Sequence, residues 1–261
     1  MIRLLAALLL LALPARAEVL RMAVTTSFVN SGLSEVLVPE AEAATHLDIQ
    51  LLVVGSGQAL RLGAAGDVDA VLAHSRAAED AFVAAGHAPY RREIMYNDFV
   101  LVGPADDPAR VAGAGGAAAA LARIADAGAP FVSRGDDSGT HLAELRLWEA
   151  AGIAPEGRWY RPIGAGMGAA LNAARGMGAY VLSDRASWLN FGNRDGLALL
   201  FAGDPMLFNQ YAFLPVDARA HPSVNAAGAE RLEAWLTSDA ARDLIDGYRI
   251  AGERLFTWNA R

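Results

Sequence analysis

A repeated rhythm limits how this chain can fold: short apolar segments rich in branched residues end in Gly, Ser or Thr, and helical patterns open directly after them. Residues 19–25, 48–54, 70–74, 131–133 and 179–183 read as strands. Residues 31–45, 57–63, 77–85, 117–127, 138–151 and 166–175 read as helices, with Pro39 expected to kink the first. Such alternation specifies an α/β fold, with mostly parallel sheets flanked by helices. A chain of 261 residues that is 54% hydrophobic can fill one large core or two modest ones.

Two longer extended stretches, YNDFVLVGP (96–104) and LFNQYAFLPV (207–216), bracket the middle of the chain. If the chain crosses to a second lobe at the first and returns at the second, residues 18–99 and 211–261 form one lobe and 100–210 the other. The tail, 223–248, reads as two helices that pack back on the first lobe. AGAGGAAAALA (112–122) reads as a surface loop feeding an Ala-rich helix, and the chain has no internal repeat. The first 17 residues, MIRLLAALLLLALPARA, have Arg3, an apolar run from Leu4 to Leu13, and small residues at Ala15 and Ala17. That is the pattern of a secretory signal cut before Glu18, and the run is too short for a spanning helix.

Composition removes several function classes. There is no cysteine, which excludes disulfides and thiolate chemistry. All 22 basic residues are arginine, which excludes lysine Schiff bases and a phosphate-loop lysine. The net charge of −7 becomes −9 without Arg3 and Arg16, so the chain lacks the basic footprint of a nucleic-acid binder.

The densest polar run is SRGDDSGTH (133–141), between a strand end and a helix start. In open α/β sheets, ligands gather at the carboxyl ends of strands. A helix N-terminus there presents unpaired N–H groups and a partial positive charge. Ser138, Gly139 and Thr140 offer donors, and Arg134 adds a permanent cation with a fixed fork. This is the chemistry of a small-anion site. Helix capping alone would account for Asp137 or Ser138 but not for Arg134. Similar turns recur at VTTSFVNSG (24–32), VGSGQA (54–59) and GAGMGAA (164–170). Each alone is a turn; together they suggest a metal-free cage of neutral donors around one arginine. Asp136 and Asp137 are expected to orient Arg134 or cap the helix, because a bare carboxylate repels a dianion.

TTS…SG, VGSGQAL, MYNDFVLVGP, FVSRGDDSGTH, WY…GAGMGAALN, AYVLSDR and the GDP…LFNQY stretch together resemble the tungstate-binding proteins of bacterial ABC transporters, over about residues 20–248. The resemblance implies a two-lobed type II periplasmic binding-protein fold with two hinge strands and ligand in the cleft. It implies tungstate or molybdate as ligand, no cofactor, export to the periplasm, an ABC permease as partner and a monomeric receptor. It places Thr26, Ser27, Ser56, Arg134, Ser138, Gly139, Thr140, Gly166 and Met167 near the oxyanion. Phe28 and Asn30 stand where the family usually has threonine and aspartate, which puts Phe28 in doubt as a contact.

Other readings stay open at this stage: a phosphate- or sulfate-type receptor, an anion sensor, or a phosphate- or sulfate-ester hydrolase. Against the hydrolase, Asp137, Ser138 and His141 crowd around one helical turn, whereas a triad draws its members from separate parts of a fold. His46, His74, His87 and His221 show no metal spacing, and the five tryptophans read as core. Leu142, Leu145 and Trp148 are expected to form the buried stripe of the helix after the polar run.

Overall fold

The computed structural model describes residues 17–260, so the expected leader falls outside the described residues except for Ala17. The first half runs β1 (Glu18–Thr25), α1 (Thr26–Asn30), α2 (Leu33–Thr45), β2 (Leu47–Val54), α3 (Ser56–Ala65), β3 (Ala70–Ala73) and α4 (Arg76–Ala84). Strand β4 (Arg92–Pro104) then leads into α5 (Ala117–Asp126), β5 (Phe131–Ser133), α6 (Gly139–Ala150), β6 (Tyr160–Pro162), α7 (Met167–Met177), β7 (Tyr180–Asp184), α8 (Arg185–Asn190) and β8 (Leu197–Phe201). The chain returns through β9 (Phe208–Pro215) to α9 (Ala226–Leu236), α10 (Asp239–Gly247) and three two-residue strands, β10 (Arg249–Ile250), β11 (Glu253–Arg254) and β12 (Thr257–Trp258).

The strand order is β2-β1-β3-β9-β4-β7-β5-β6. Within each half the pairs β1–β2, β1–β3, β5–β6 and β5–β7 are parallel, as the alternating pattern requires. Strand β4 joins the halves. Its residues 92–98 pair antiparallel with β9, and residues 99–102 pair with β7. The returning strand β9 pairs only on the first side, between β3 and β4.

The cores follow the same division. Leu20, Val24, Leu33, Leu37, Tyr211 and Phe213 pack with Leu232, Leu236 and Ile245 of the tail helices, so the tail does fold back on the first half. Phe99, Leu121, Phe131, Trp148 and Tyr180 form a separate cluster in the second half. All five tryptophans lie in or against such clusters.

Three local expectations are corrected. A separate short helix, α1, precedes α2, where a single helix from residue 31 was expected. Leu145 is 39% exposed; the buried face of α6 is Thr140, Ala143, Glu144, Leu147 and Trp148. Trp148 is buried as expected, but a polar residue, Glu144, takes the buried place expected for Leu145. Strand β8 follows α8 where no strand was expected.

At Gly103 in β4 a Cβ would lie 2.3 Å from Cδ1 of Tyr180 and 2.9 Å from Leu200. The Tyr180 ring cannot swing aside freely, because its hydroxyl accepts from Ala109 N and donates to Asp107, both at 2.9 Å. Gly103→Ala should therefore cost about 1–3 kcal/mol by overpacking. A urea unfolding curve checks this, and an unshifted midpoint would show that the ring yields.

Candidate functional site

The ends of β1, β2, β3, β5 and β7 all deliver polar residues to one buried region between the halves. Strand β5 ends at Ser133, and Arg134 follows it with only 1% of its surface exposed. Its Nη2 donates to Asp136 Oδ2 at 2.5 Å and to Thr26 Oγ1 at 3.1 Å, and its Nε donates to the Ala165 carbonyl at 3.3 Å. Thr26 belongs to the first half and Ala165 precedes α7, so one side chain ties three turns together. Asp136 Oδ1 also accepts from Ser138 N at 3.2 Å. Both oxygens of Asp136 are thus engaged, one orienting the cation and the other steadying the start of α6.

The local backbone explains the sequence of this turn. Gly135 and Asp137 take φ of 58° and 55°, in the left-handed region. At Gly135 a Cβ would also meet Pro162 at 2.8 Å. Asp137 neither orients Arg134 nor caps α6; its carboxylate is largely exposed, and its carbonyl accepts from Gly57 N at 3.3 Å. Ser138 is the cap, its Oγ accepting from His141 N at 3.2 Å.

The start of α6 meets the start of α3. Gly139 N donates to Ser56 Oγ at 3.1 Å across the halves. A Cβ on Gly139 would lie 2.6 Å from two atoms of the His74 ring and 2.9 Å from Ser56 Oγ, so this approach requires glycine. Thr140 and Ser27 are buried, and Thr140 Oγ1 and Ser27 Oγ have no hydrogen-bond partner. Buried hydroxyls left this way are uncommon and call for an explanation.

The remaining two expected residues fit differently. Gly166 caps α7 in extended conformation, and a Cβ there would make only ordinary contact with Thr26 at 3.8 Å. Met167 points its side chain into the core of the second half with Val100, Val132 and Leu171. At these two positions the group nearest the cleft is the N-terminal backbone of α7. Phe28, the departure from the family pattern, is also core, 1% exposed.

Three residues not assigned to the site from sequence belong to this region. Asp184 ends β7, is fully buried, and caps α8 by accepting from Ser187 N at 2.8 Å. Burial pushes its carboxyl pKa up, opposed by Ser187, Ser27 and the Arg134 charge. Ser27 Oγ influences that carboxyl without reaching hydrogen-bonding geometry. His74 follows β3, and its ring stacks on buried Tyr211 with centroids 4.7 Å apart. Burial, then the Arg134 charge, depresses the His74 pKa to about 3, so the imidazole is neutral near neutral pH. The available signal is positional: Asp184 and His74, like Arg134, stand at or just after a strand's carboxyl end.

Glu144 lies in the buried face of α6, accepting from Trp148 Nε1 at 3.1 Å and Tyr160 Oη at 2.8 Å. Burial pushes its pKa from 4.5 up to about 7. The folded protein therefore keeps a proton that the unfolded chain releases near 4.5. Stability from this group is complete below that pH and is lost as pH rises through about 7. Wild-type protein should lose on the order of 3 kcal/mol relative to Glu144→Gln between those limits. Urea midpoints measured across this window test the sign, and parallel profiles for the two proteins would refute it.

Residues 14–240 match the PBP superfamily domain. The tungstate-binding protein TupA of Peptoclostridium acidaminophilum is 44% identical over 243 residues, covering 92% of this chain and 85% of that protein. The crystal structure of the tungstate ABC transporter from Geobacter sulfurreducens superposes with a TM-score of 0.82 at 45% identity, covering 88% of this chain and 99% of that one. The tungstate-binding protein TupA from Desulfovibrio alaskensis G20 superposes with a TM-score of 0.78 at 42% identity, covering 94% and 100% of the two chains. With the fold, a buried polar region between the halves and near-full-length relatives in agreement, this chain belongs to the PBP superfamily and, within it, to the family of the TupA proteins.

Proposed function

We propose that the protein is an exported receptor that captures tungstate in the cleft between its halves and delivers it to the permease of an ABC transporter. The observation that carries this reading is the convergence on buried Arg134 of the α3, α6 and α7 N-termini together with the hydroxyls of α1. The helix-start amides are donors, the Thr26 and Ser56 hydroxyls that accept here keep a proton to donate, and two further hydroxyls, Ser27 Oγ and Thr140 Oγ1, are buried without a partner. Tungstate is a fully deprotonated dianion and takes donors alone. Thr26, Ser27, Ser56, Ser138 and Thr140 supply hydroxyl or amide donors, Gly139, Gly166 and Met167 supply backbone N–H groups, and Arg134 supplies the cation. The receptor binds without chemical turnover and works as a monomer. Its first 17 residues form a cleaved leader, and its lobes comprise residues 18–99 with 211–261, and 100–210.

Closure follows from the same geometry. The Gly139–Ser56, Gly57–Asp137 and Arg134–Thr26 bonds each join the two halves. An anion that accepts from both sides favours the closed form by the bonds it gains only there. A receptor for a protonated oxyanion such as phosphate is a second reading, favoured by one observation: Asp184 Oδ2 is buried without a hydrogen-bond partner. Calorimetric titrations with tungstate, molybdate, sulfate and phosphate separate the two, since phosphate binding tightest would overturn the tungstate reading.

Arg134→Ala should weaken tungstate binding by roughly 100-fold or more. It removes charge-assisted hydrogen bonds and leaves Asp136 unpaired beside a dianion. Arg134→Lys should restore little, because a point charge cannot reproduce the fork. Isothermal titration reads both, and full affinity in the alanine variant would remove Arg134 from the site.

A further inference from the structure

A line of buried side chains connects the crossing strands to the start of α6. Asn97 of β4 accepts at Oδ1 from Asn209 Nδ2 of β9 at 2.6 Å. Asn209 Oδ1 lies 2.9 Å from His74 Nδ1. The Nδ1–Cε1 edge of that ring packs on Gly139, the first residue of α6. Three polar atoms along this line are buried without partners: Asn97 Nδ2, His74 Nε2 and the Tyr211 hydroxyl.

With the amides in this arrangement, Asn209 offers the ring an oxygen. Nδ1 then carries the proton and Nε2 is a bare lone pair. The same heavy-atom distances are met if both amides turn over. Asn97 then donates to Asn209, Asn209 donates to Nδ1, and the ring proton resides on Nε2. The first arrangement strands an amide donor of Asn97; the second strands an oxygen, the less severe defect. The ring is neutral in both, because its burial and the nearby guanidinium oppose a second proton.

Resting on the tungstate reading of the cleft, the geometry points to His74 as a further contact of the anion, donating to it from Nε2. A lone pair on Nε2 repels a dianion, whereas Nε2–H donates to it. Bound tungstate therefore selects the turned-over relay. Any ring that holds its proton on Nδ1 releases it to water and takes one on Nε2 while the cleft is open, so no net proton is bound.

The test uses the wild-type protein with ¹⁵N-labelled histidine. Long-range ¹H–¹⁵N spectra distinguish the two neutral tautomers and the imidazolium, and the His74 resonances are assigned by their loss in His74→Phe. With tungstate bound, the His74 pair should show the Nε2–H pattern. Calorimetry on the same samples reports binding independently: no binding overturns both the tungstate reading and this contact. Binding with His74 still protonated at Nδ1, or doubly protonated, overturns the contact alone. His74→Gln, whose amide can place a donor near Nε2, should keep affinity within a few-fold. His74→Phe should lose roughly 10- to 100-fold, the range for one charge-assisted hydrogen bond. Equal affinities in the two variants would also overturn it.

Discussion

The structure of the cleft depends on how one guanidinium is buried. Arg134 is almost wholly removed from water, and a cation so placed requires a partner of opposite charge with well-aligned hydrogen bonds. Asp136, two residues on, supplies it, and its second oxygen takes the Ser138 amide. The cation is thereby fixed in position relative to the helix that begins at Gly139. Gly135 and Asp137 adopt left-handed conformations on either side of Asp136, so the tight turn and the ion pair form one unit.

That pairing shapes the electrostatics of capture. The Arg134–Asp136 pair is close to neutral seen from a distance, and the whole chain carries a net charge of −7. Long-range attraction therefore contributes little to drawing in a dianion, and salt screens much of the repulsion. On the proposed site, the favourable terms act at contact: amide dipoles at three helix starts, hydroxyls held by packing, and the forked donors of one arginine. Such groups discriminate by geometry, since they reward an anion only when its oxygens meet several of them together.

Much of this was legible from the amino-acid order. The strands at 131–133 and near 19–25 and 48–54 announced themselves by branched residues bounded by turn signals, and Arg134 stood out because capping cannot explain an arginine. Asp136 behaves as the charge argument required, whereas Asp137 does not, because its left-handed backbone carries the side chain out to solvent. The Leu145 error arose where a buried carboxyl, Glu144, broke the apolar pattern of α6. His74, Asp184 and Tyr211 were not legible as a group. They come from distant segments, and each alone resembles an ordinary strand-end or core residue. Their shared burial exists only once the sheet is assembled.

Strand β4 has a mechanical consequence. It changes partner between Asp98 and Phe99, from β9 on one side to β7 on the other. Swivelling about that single peptide link need not break a rung of either ladder. The bidentate clasp of Arg185 on Asp98, whose bonds measure 2.8 and 2.6 Å, sits at that change of partner and ties the start of α8 to it.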